Sequence, residues 1–232
     1  MNTAAGVKSI ESLCNLLGKS RLLKPPQVQG AYKDWRRIEP RSTPGEVDRF
    51  TQWLSRNHYV TGYQARQLAV GRSDHFFLNH YTLLELIGQG GMAGIFKGSH
   101  TLGQIVAVKI LPASKSQDPK VLARFKREAR MAVRLRHPNI VRTYHLGTAG
   151  ARHYIVMEYL EGETLADVLK RRKKLPYPEA VRLLHQALTG LQHIHENRMV
   201  HRDLKPANLM LTPPRPPGAP DDTLHSTLKL LD

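Results

Sequence analysis

Two periodicities divide the chain. Through the first eighty residues apolar side chains recur every three or four positions, as at Ile10, Leu13, Leu16 and Leu17 and again at Val47, Phe50, Trp53 and Leu54. That spacing predicts amphipathic helices. Residues 9–28 lie over residues 46–65 at a shift of 37, with Ile10, Leu13, Leu16, Leu17, Leu22, Leu23 and Gln27 falling on Val47, Phe50, Trp53, Leu54, Tyr59, Val60 and Gln64. Each copy reads as a helix, a short turn and the start of a second helix. Thr43-Pro44-Gly45-Glu46 predicts a capping box with Thr43 as N-cap, and Thr61-Gly62-Tyr63-Gln64 predicts another, whose helix Gly71 can close. Residues 1–80 are therefore expected to form a helical region. Its two hairpins pack on each other or on the next domain, or they recruit a protein partner.

From Tyr81 the pattern shortens. YTLLELIG, GIFKGSH, QIVAVKILP and RHYIVMEYL are rich in branched and aromatic residues and are separated by glycine-containing turns, as strands of an antiparallel sheet are. PKVLARFKREARMAVRLR between them is helical, with Val121, Leu122, Phe125, Ala129, Ala132 and Val133 on one stripe. Thr164 and Asp167 cap a further helix, and Pro178 opens a long one. A proline-rich loop then precedes the final strand, TLKLLD. Strands followed by helices predict an α+β fold over residues 81–232.

Composition narrows the classes. With 35 Lys and Arg against 19 Asp and Glu, the formal charge is +16, a surplus that suits nucleic acid, a membrane surface or a polyphosphate ligand. The surplus is spread along the chain; only residues 170–174, KRRKK, form a true basic run, expected to be a solvated helix end. At 6% aromatic residues and without a base-reading motif, nucleic acid is not the expected partner. The single cysteine, Cys14, excludes an internal disulfide and any cysteine-based zinc site. No signal peptide and no apolar run of about 18 residues is present, so a cytoplasmic protein without a membrane segment is expected.

Three stretches carry candidate chemistry. IGQGGMAGIFKG (residues 87–98) puts glycines between two strands, which lets a hairpin turn tightly over a ligand and present N–H groups to phosphate oxygens. In AVKI, Lys109 sits among apolar strand residues, and an inward ammonium needs partners. Glu128 on the following helix suits it as a counter-ion. HRDLKPANLM (residues 201–210) places Asp203 to accept or orient a hydroxyl proton, Lys205 to neutralise a phosphoryl group and Asn208 to offer an oxygen to Mg²⁺.

Taken in order, these pieces resemble the protein-kinase signature set over residues 81–232. The resemblance implies a two-lobe fold, with a complete β-rich small lobe and the first part of a helical large lobe, using ATP and Mg²⁺ to phosphorylate protein serine or threonine. Gly88, Gln89, Gly90, Gly91 and Met92 would then form the loop over the phosphates. Lys109 would hold them, with Glu128 as its partner. Met157, Glu158 and Leu160 would form the hinge facing adenine, with Ile87, Ile95, Ala107 and Met210 against the base. Asp203 is the catalytic-loop aspartate of the resemblance, Lys205 the mark of the serine/threonine class, and Asn208 and Asp232 the metal ligands. The wording GQGGMAGIFKG is similar to bacterial serine/threonine kinases, and residues 63–88 resemble the leader found before kinase domains in planctomycete-type bacteria.

The sequence departs from that pattern at Ala93, which replaces the third glycine, and in a longer stretch before the last strand, where residues 213–220 are expected to protrude as a hairpin tip. It stops on Asp232, the aspartate of the Asp-Phe-Gly motif. The reading frame is therefore expected to continue with Phe-Gly, and these 232 residues alone to transfer little or no phosphate; the alternative is a non-catalytic nucleotide-binding or partner-binding remnant. Leu183, Leu184, Leu188, Leu191 and Ile194 are expected to form one exposed apolar face.

Overall fold

The computed structural model describes residues 6–90, 93–212 and 226–231; Gly91, Met92, the proline-rich stretch 213–220 and Asp232 lie outside them. The chain forms two compact units, residues 1–105 and 106–232.

In the first unit four helices, α1 (Ile10–Ser20), α2 (Pro25–Ile38), α3 (Glu46–Arg56) and α4 (Gly62–Ala69), precede strands β1 (Phe77–Leu78), β2 (Tyr81–Gln89) and β3 (Gly94–His100). The strands pair in succession, all antiparallel. Each half of the sequence echo is a helix, a turn and a second helix. Leu13, Leu17, Phe50, Leu54, Leu68 and Phe76 are fully buried at the centre. Around them Trp35 meets Phe50 with ring centroids 5.5 Å apart, and Trp53 stacks on Tyr59 at 5.5 Å. Such aromatic pairs contribute about 0.5–1.5 kcal/mol each beyond their burial. Burial pushes the Cys14 thiol up to about 11, which leaves it a packing residue with little thiolate at neutral pH.

The start of α3 differs from the sequence expectation. Gly45, at φ 76°, is the N-cap, and Thr43 lies outside the helix. The cause is competition for the would-be cap: Thr43 Oγ1 is bonded by Arg49, and the Glu46 carboxylate is taken by Ser42 and Arg36. The capping box of α4 forms as its sequence implies, from Thr61 and Gln64.

The second unit contains β4 (Ile105–Leu111), α5 (Ala113–Ser116), α6 (Pro119–Ala132), β5 (Thr143–Ala149), β6 (Arg152–Glu158), β7 (Glu163–Thr164), α7 (Leu165–Arg172), α8 (Tyr177–Glu196), a 3₁₀ turn at Pro206–Asn208, β8 (Leu209–Thr212) and β9 (Thr227–Leu230). β6 is paired antiparallel with β4 on one side and β5 on the other, and β8 lies between β7 and β9. α6 covers one face of the first group, where Phe125 and Ala129 pack with Leu111 and Ile155.

The apolar face expected on α8 is narrower than its sequence suggests. Leu183 (3% exposed) and Ile194 (5%) are buried in a core with Leu209, Leu211, Leu228 and Leu230, and Leu191 packs against it. Leu184 (60%) and Leu188 (62%) remain exposed. Gly190 permits this packing. A Cβ there would fall 2.8 Å from Leu230 Cδ1 and 2.9 Å from the Asn139 carbonyl oxygen, whereas one at Gly18 of α1 would meet nothing within 4 Å. Gly190→Ala is therefore expected to cost about 1–3 kcal/mol by overpacking. Gly18→Ala should be neutral or stabilising by up to about 1 kcal/mol. Urea midpoints of the two variants check both.

The KRRKK run is more engaged than a solvated helix end. Arg172 makes a bidentate pair with Glu179 at 2.7 and 2.9 Å, and the Glu179 side chain is only 2% exposed; Arg171 bonds Glu163 at 2.7 Å. A carboxylate buried this far is tolerable because the guanidinium fork satisfies both oxygens.

His137 stacks on His193 with centroids 5.3 Å apart, and its Nδ1 accepts the Asn139 N–H at 3.1 Å. Burial first, and the neighbouring His193 second, hold its pKa below the ordinary imidazole value, against the opposing pull of Glu196. The unfolded imidazole takes up a proton at higher pH than the folded one, so this residue destabilises the fold as pH falls below about 6.5. Urea unfolding at pH 7.5 and 5.5 should show the loss, with His137→Asn reducing the difference.

Candidate active site

The glycine-rich segment is a hairpin with two irregularities. Gly88 pairs with Ile95 and Gln89 with Gly94, and the Gly90 N–H closes the turn on the Ala93 carbonyl at 3.0 Å. The register steps from Leu86 opposite Phe96 to Gly88 opposite Ile95, leaving Ile87 as a bulged residue without a partner. A bulge re-aims the side chain it carries, and Ile87 is 43% exposed, open to a ligand. Ala93, in place of the family's third glycine, is itself buried. Gly91 and Met92, between these landmarks, lie outside the described residues.

Lys109 is half-buried on β4, opposite Ile155 of β6, and Ala107 is opposite Met157. Strand alternation puts Ala107, Lys109 and Leu111 on one face. That is the face Leu111 shares with α6, the helix of Glu128. The Glu128 carboxylate accepts from Arg124 Nε at 2.9 Å, one turn earlier, and both side chains are about half exposed.

At the end of β6 the Glu158 N–H donates to Arg142 O at 2.9 Å and is thus engaged within the fold. Its carboxylate accepts from the Arg142 N–H (2.6 Å) and from Lys229 Nζ (2.7 Å). Both groups fix the strand end from which Leu160 follows. Met210 lies on β8 between Thr164 and Lys229.

The sharpest geometry is in the loop before β8. Asn208 Nδ2 donates to both Asp203 Oδ2 and Asp203 O at 2.8 Å, and Lys205 Nζ donates to the same carboxylate at 2.9–3.0 Å. Both Asp203 atoms are acceptors only, which assigns the amide orientation and turns Asn208 Oδ1 away from them. The Lys205 bond first, and the Asn208 bond second, hold the Asp203 carboxyl below the usual carboxylate range, so it is ionised at neutral pH. Arg202 beside it has φ 66°, a left-handed conformation that a non-glycine residue adopts at a cost. His201 Nε2 lies 3.0 Å from Leu231 O, and the Leu231 N–H donates to Asn208 O at 2.9 Å. The residue preceding Asp232 is thereby tied to the loop on both sides; Asp232 itself lies outside the described residues.

Residues 81–232 match the protein kinase domain family. The chain belongs to the protein kinase family. It is 41% identical over 132 residues to the serine/threonine-protein kinase PrkC of Bacillus subtilis, covering 56% of this chain and 20% of that protein. With the serine/threonine-protein kinase PknB of Mycobacterium leprae it shares 39% over 139 residues, 58% of this chain and 22% of that one. The chain thus spans about a fifth of the length of these bacterial relatives. Among solved structures, the Mycobacterium tuberculosis PknI kinase domain superposes with a TM-score of 0.54 at 25% identity, over 67% of this chain and 60% of that domain. Fold and family agree with the α+β kinase architecture that the motifs imply.

Several residues that shape this candidate site carry no motif signal. Asn139 is one. Its Nδ2 donates to Leu228 O (2.8 Å) and Gln186 Oε1 (3.0 Å), its carbonyl accepts the Leu230 N–H (2.9 Å), and its Oδ1 accepts from Thr189 (3.2 Å). A buried asparagine bonded on every side fixes β9, and with it the approach to Asp232. Lys229 of the same strand, whose ammonium donates to the Glu158 carboxylate, is another, and nothing in its neighbours announces it. Among the described residues no group of three or more His, Cys, Asp or Glu side chains could hold a metal ion.

Proposed function

We propose that this chain provides the nucleotide-binding and catalytic-loop regions of a bacterial serine/threonine protein kinase, working with ATP and Mg²⁺ on protein hydroxyls. The observation that carries the reading is the bond set around Asp203: an ionised carboxylate held by an amide and an ammonium, in a loop of strained backbone. In this reading Asp203 orients the acceptor hydroxyl and takes its proton as the oxygen bonds to the γ-phosphorus and the bond to the bridging oxygen breaks, releasing ADP. Lys205 neutralises charge on the transferring group, and Lys109 holds the remaining phosphates. Asn208 Oδ1 and Asp232 suit a hard cation, being oxygen donors. Bound there, Mg²⁺ neutralises the phosphate charge. Gly88, Gln89, Gly90, Gly91 and Met92 close over the phosphates; Ile87, Ile95, Ala107, Met157, Leu160 and Met210 contact adenine. ATP as donor places the activity in the cytoplasm.

Phosphoamino-acid analysis tests the reading. The protein as its gene encodes it, incubated with γ-labelled ATP, Mg²⁺ and a basic acceptor protein, should place label on serine and threonine. Label on tyrosine would sink the class assignment, and failure of the protein to bind ATP would sink the function.

A further inference from the structure

The two capping residues of α4 each serve a second purpose. Gln64 Oε1 accepts the Thr61 N–H at 2.9 Å, while its Nε2 donates to Leu83 O on β2 at 2.8 Å. Thr61 Oγ1 accepts the Gln64 N–H at 3.2 Å and donates to Leu84 O. Gln64 is 4% exposed, so these bonds are made away from water. The strand is prepared for them. Leu83 pairs with Gly98 and Glu85 with Lys97, leaving Leu84 bulged out of the β2–β3 ladder. A bulge frees main-chain groups from the partner strand, and Thr61 takes up the Leu84 carbonyl; Leu83 O faces the strand edge away from β3, the edge on which its own N–H meets Phe76 O.

Between the two capping residues, Tyr63 sets its ring edge-on against Phe96 of β3, with centroids 5.6 Å apart at 67°. Phe96 in turn pairs with Leu86, and its ring is what a Cβ at Gly94 would strike, at 2.9 Å. Gly94 faces Gln89 at the hairpin tip. A single helix turn therefore grips both strands of the glycine-rich hairpin, through carbonyls on β2 and a ring on β3. Below the grip, Phe76 is fully buried in the helical core and its carbonyl accepts the Leu83 N–H at 2.7 Å, so the anchorage is continuous with that core.

We propose that the helical region of residues 1–80 acts in cis as a positioning module for the nucleotide-binding hairpin, with Thr61, Tyr63 and Gln64 as its positioning residues. This rests on the reading of residues 87–95 as the phosphate-covering loop. A glycine-rich tip has many conformations to lose when it closes on a ligand, and ordering it beforehand leaves less to be lost on binding. The module supplies that order from the side of the strands that leads into the tip. Its role is then intramolecular, and no second protein is needed for it.

Gln64→Glu separates docking from helix capping. Glutamate keeps the acceptor that the capping box uses but loses the donor to Leu83 O and sets a carboxylate against a carbonyl. Tyr63→Ala leaves every cap bond in place and removes the ring; Tyr63→Phe restores the ring. Both tryptophans of the chain, Trp35 and Trp53, lie in the helical core, so their emission reports that core alone. ATP affinity with Mg²⁺ and amide exchange over residues 83–98 without nucleotide are measured on the full chain. Gln64→Glu and Tyr63→Ala should each raise the ATP Kd about fivefold, the effect of one lost hydrogen bond or ring contact. Both should speed hairpin exchange, with tryptophan emission unchanged and Tyr63→Phe within about twofold of the parent. Should Gln64→Glu shift the emission, Tyr63→Ala decides. A parent that binds ATP and variants that match it in both Kd and exchange would overturn the positioning role alone. A parent that binds no ATP overturns the nucleotide reading and the positioning role together.

Discussion

Asp203→Asn should abolish phosphoryl transfer while leaving the loop around it intact. The substitution is isosteric, and the new side chain keeps one oxygen to accept from Asn208 Nδ2 and Lys205 Nζ, which now reach Asp203 at 2.8 and 2.9–3.0 Å. What disappears is the negative charge and the capacity to take a proton. General-base contributions run to about 10²–10⁴-fold, so kcat is expected to fall by about 10³-fold. ATP affinity should stay within about twofold, because in the proposed reading the residue acts on the acceptor hydroxyl. Transfer to a protein acceptor, measured with the protein as its gene encodes it, checks the first, and nucleotide titration the second. A loss below about tenfold would remove Asp203 from the chemistry. The pH profile adds a check. The carboxyl is held below the ordinary range by Lys205 and then Asn208, so lowering the pH from 7 to 5.5 should not switch the reaction off through this group.

What the sequence could carry of this site is what lies close together along the chain. Asp203, Lys205 and Asn208 fall within six residues, so their bonds form among neighbours and the motif contains them. The same holds for the caps of α4, α6 and α7, where Thr61, Asp118 and Thr164 meet a donor or acceptor within one turn. The ties that fix the loop are long-range and leave no local trace: His201 to Leu231 spans 30 residues and Asn139 to Leu228 spans 89. Strand β5 was hidden for a different reason. Its pattern is broken by Gly147, which is there because the buried Tyr154 ring crosses it; a Cβ at that position would lie 2.3 Å from the ring. On α8 the apolar residues exceed what one core face can take, so periodicity alone does not separate the buried Leu183 from the exposed Leu184. Gln64 shows the limit most plainly: the pattern identifies it as a cap, while its donation to Leu83 O depends on a strand edge that packs against it from 19 residues away.

Lys109→Met should reduce ATP affinity and transfer together. Methionine keeps an unbranched stem of similar reach on the β4 face that Lys109 shares with Ala107 and Leu111, so the packing with Phe125 and Ala129 of α6 has no reason to change. The lost term is a fixed positive charge. In the proposed reading its bonds to phosphate oxygens would be charge-assisted, worth about 1.5–3 kcal/mol each in a partly buried setting. If those bonds tighten as charge moves toward the leaving group, kcat falls further than affinity does, by about 10²-fold or more. The two readouts separate the roles: a rise in Kd with kcat unchanged would make Lys109 a binding residue only. Glu128 provides the companion measurement. Its carboxylate is bonded by Arg124, with both side chains about half exposed, and an exposed pair of this kind is worth at most about 1 kcal/mol. Arg124→Ala should therefore leave the fold stable. If Glu128 serves Lys109, removing the competing guanidinium should raise transfer or leave it unchanged, and a large loss in Arg124→Ala would show that the arginine itself is the group the site needs.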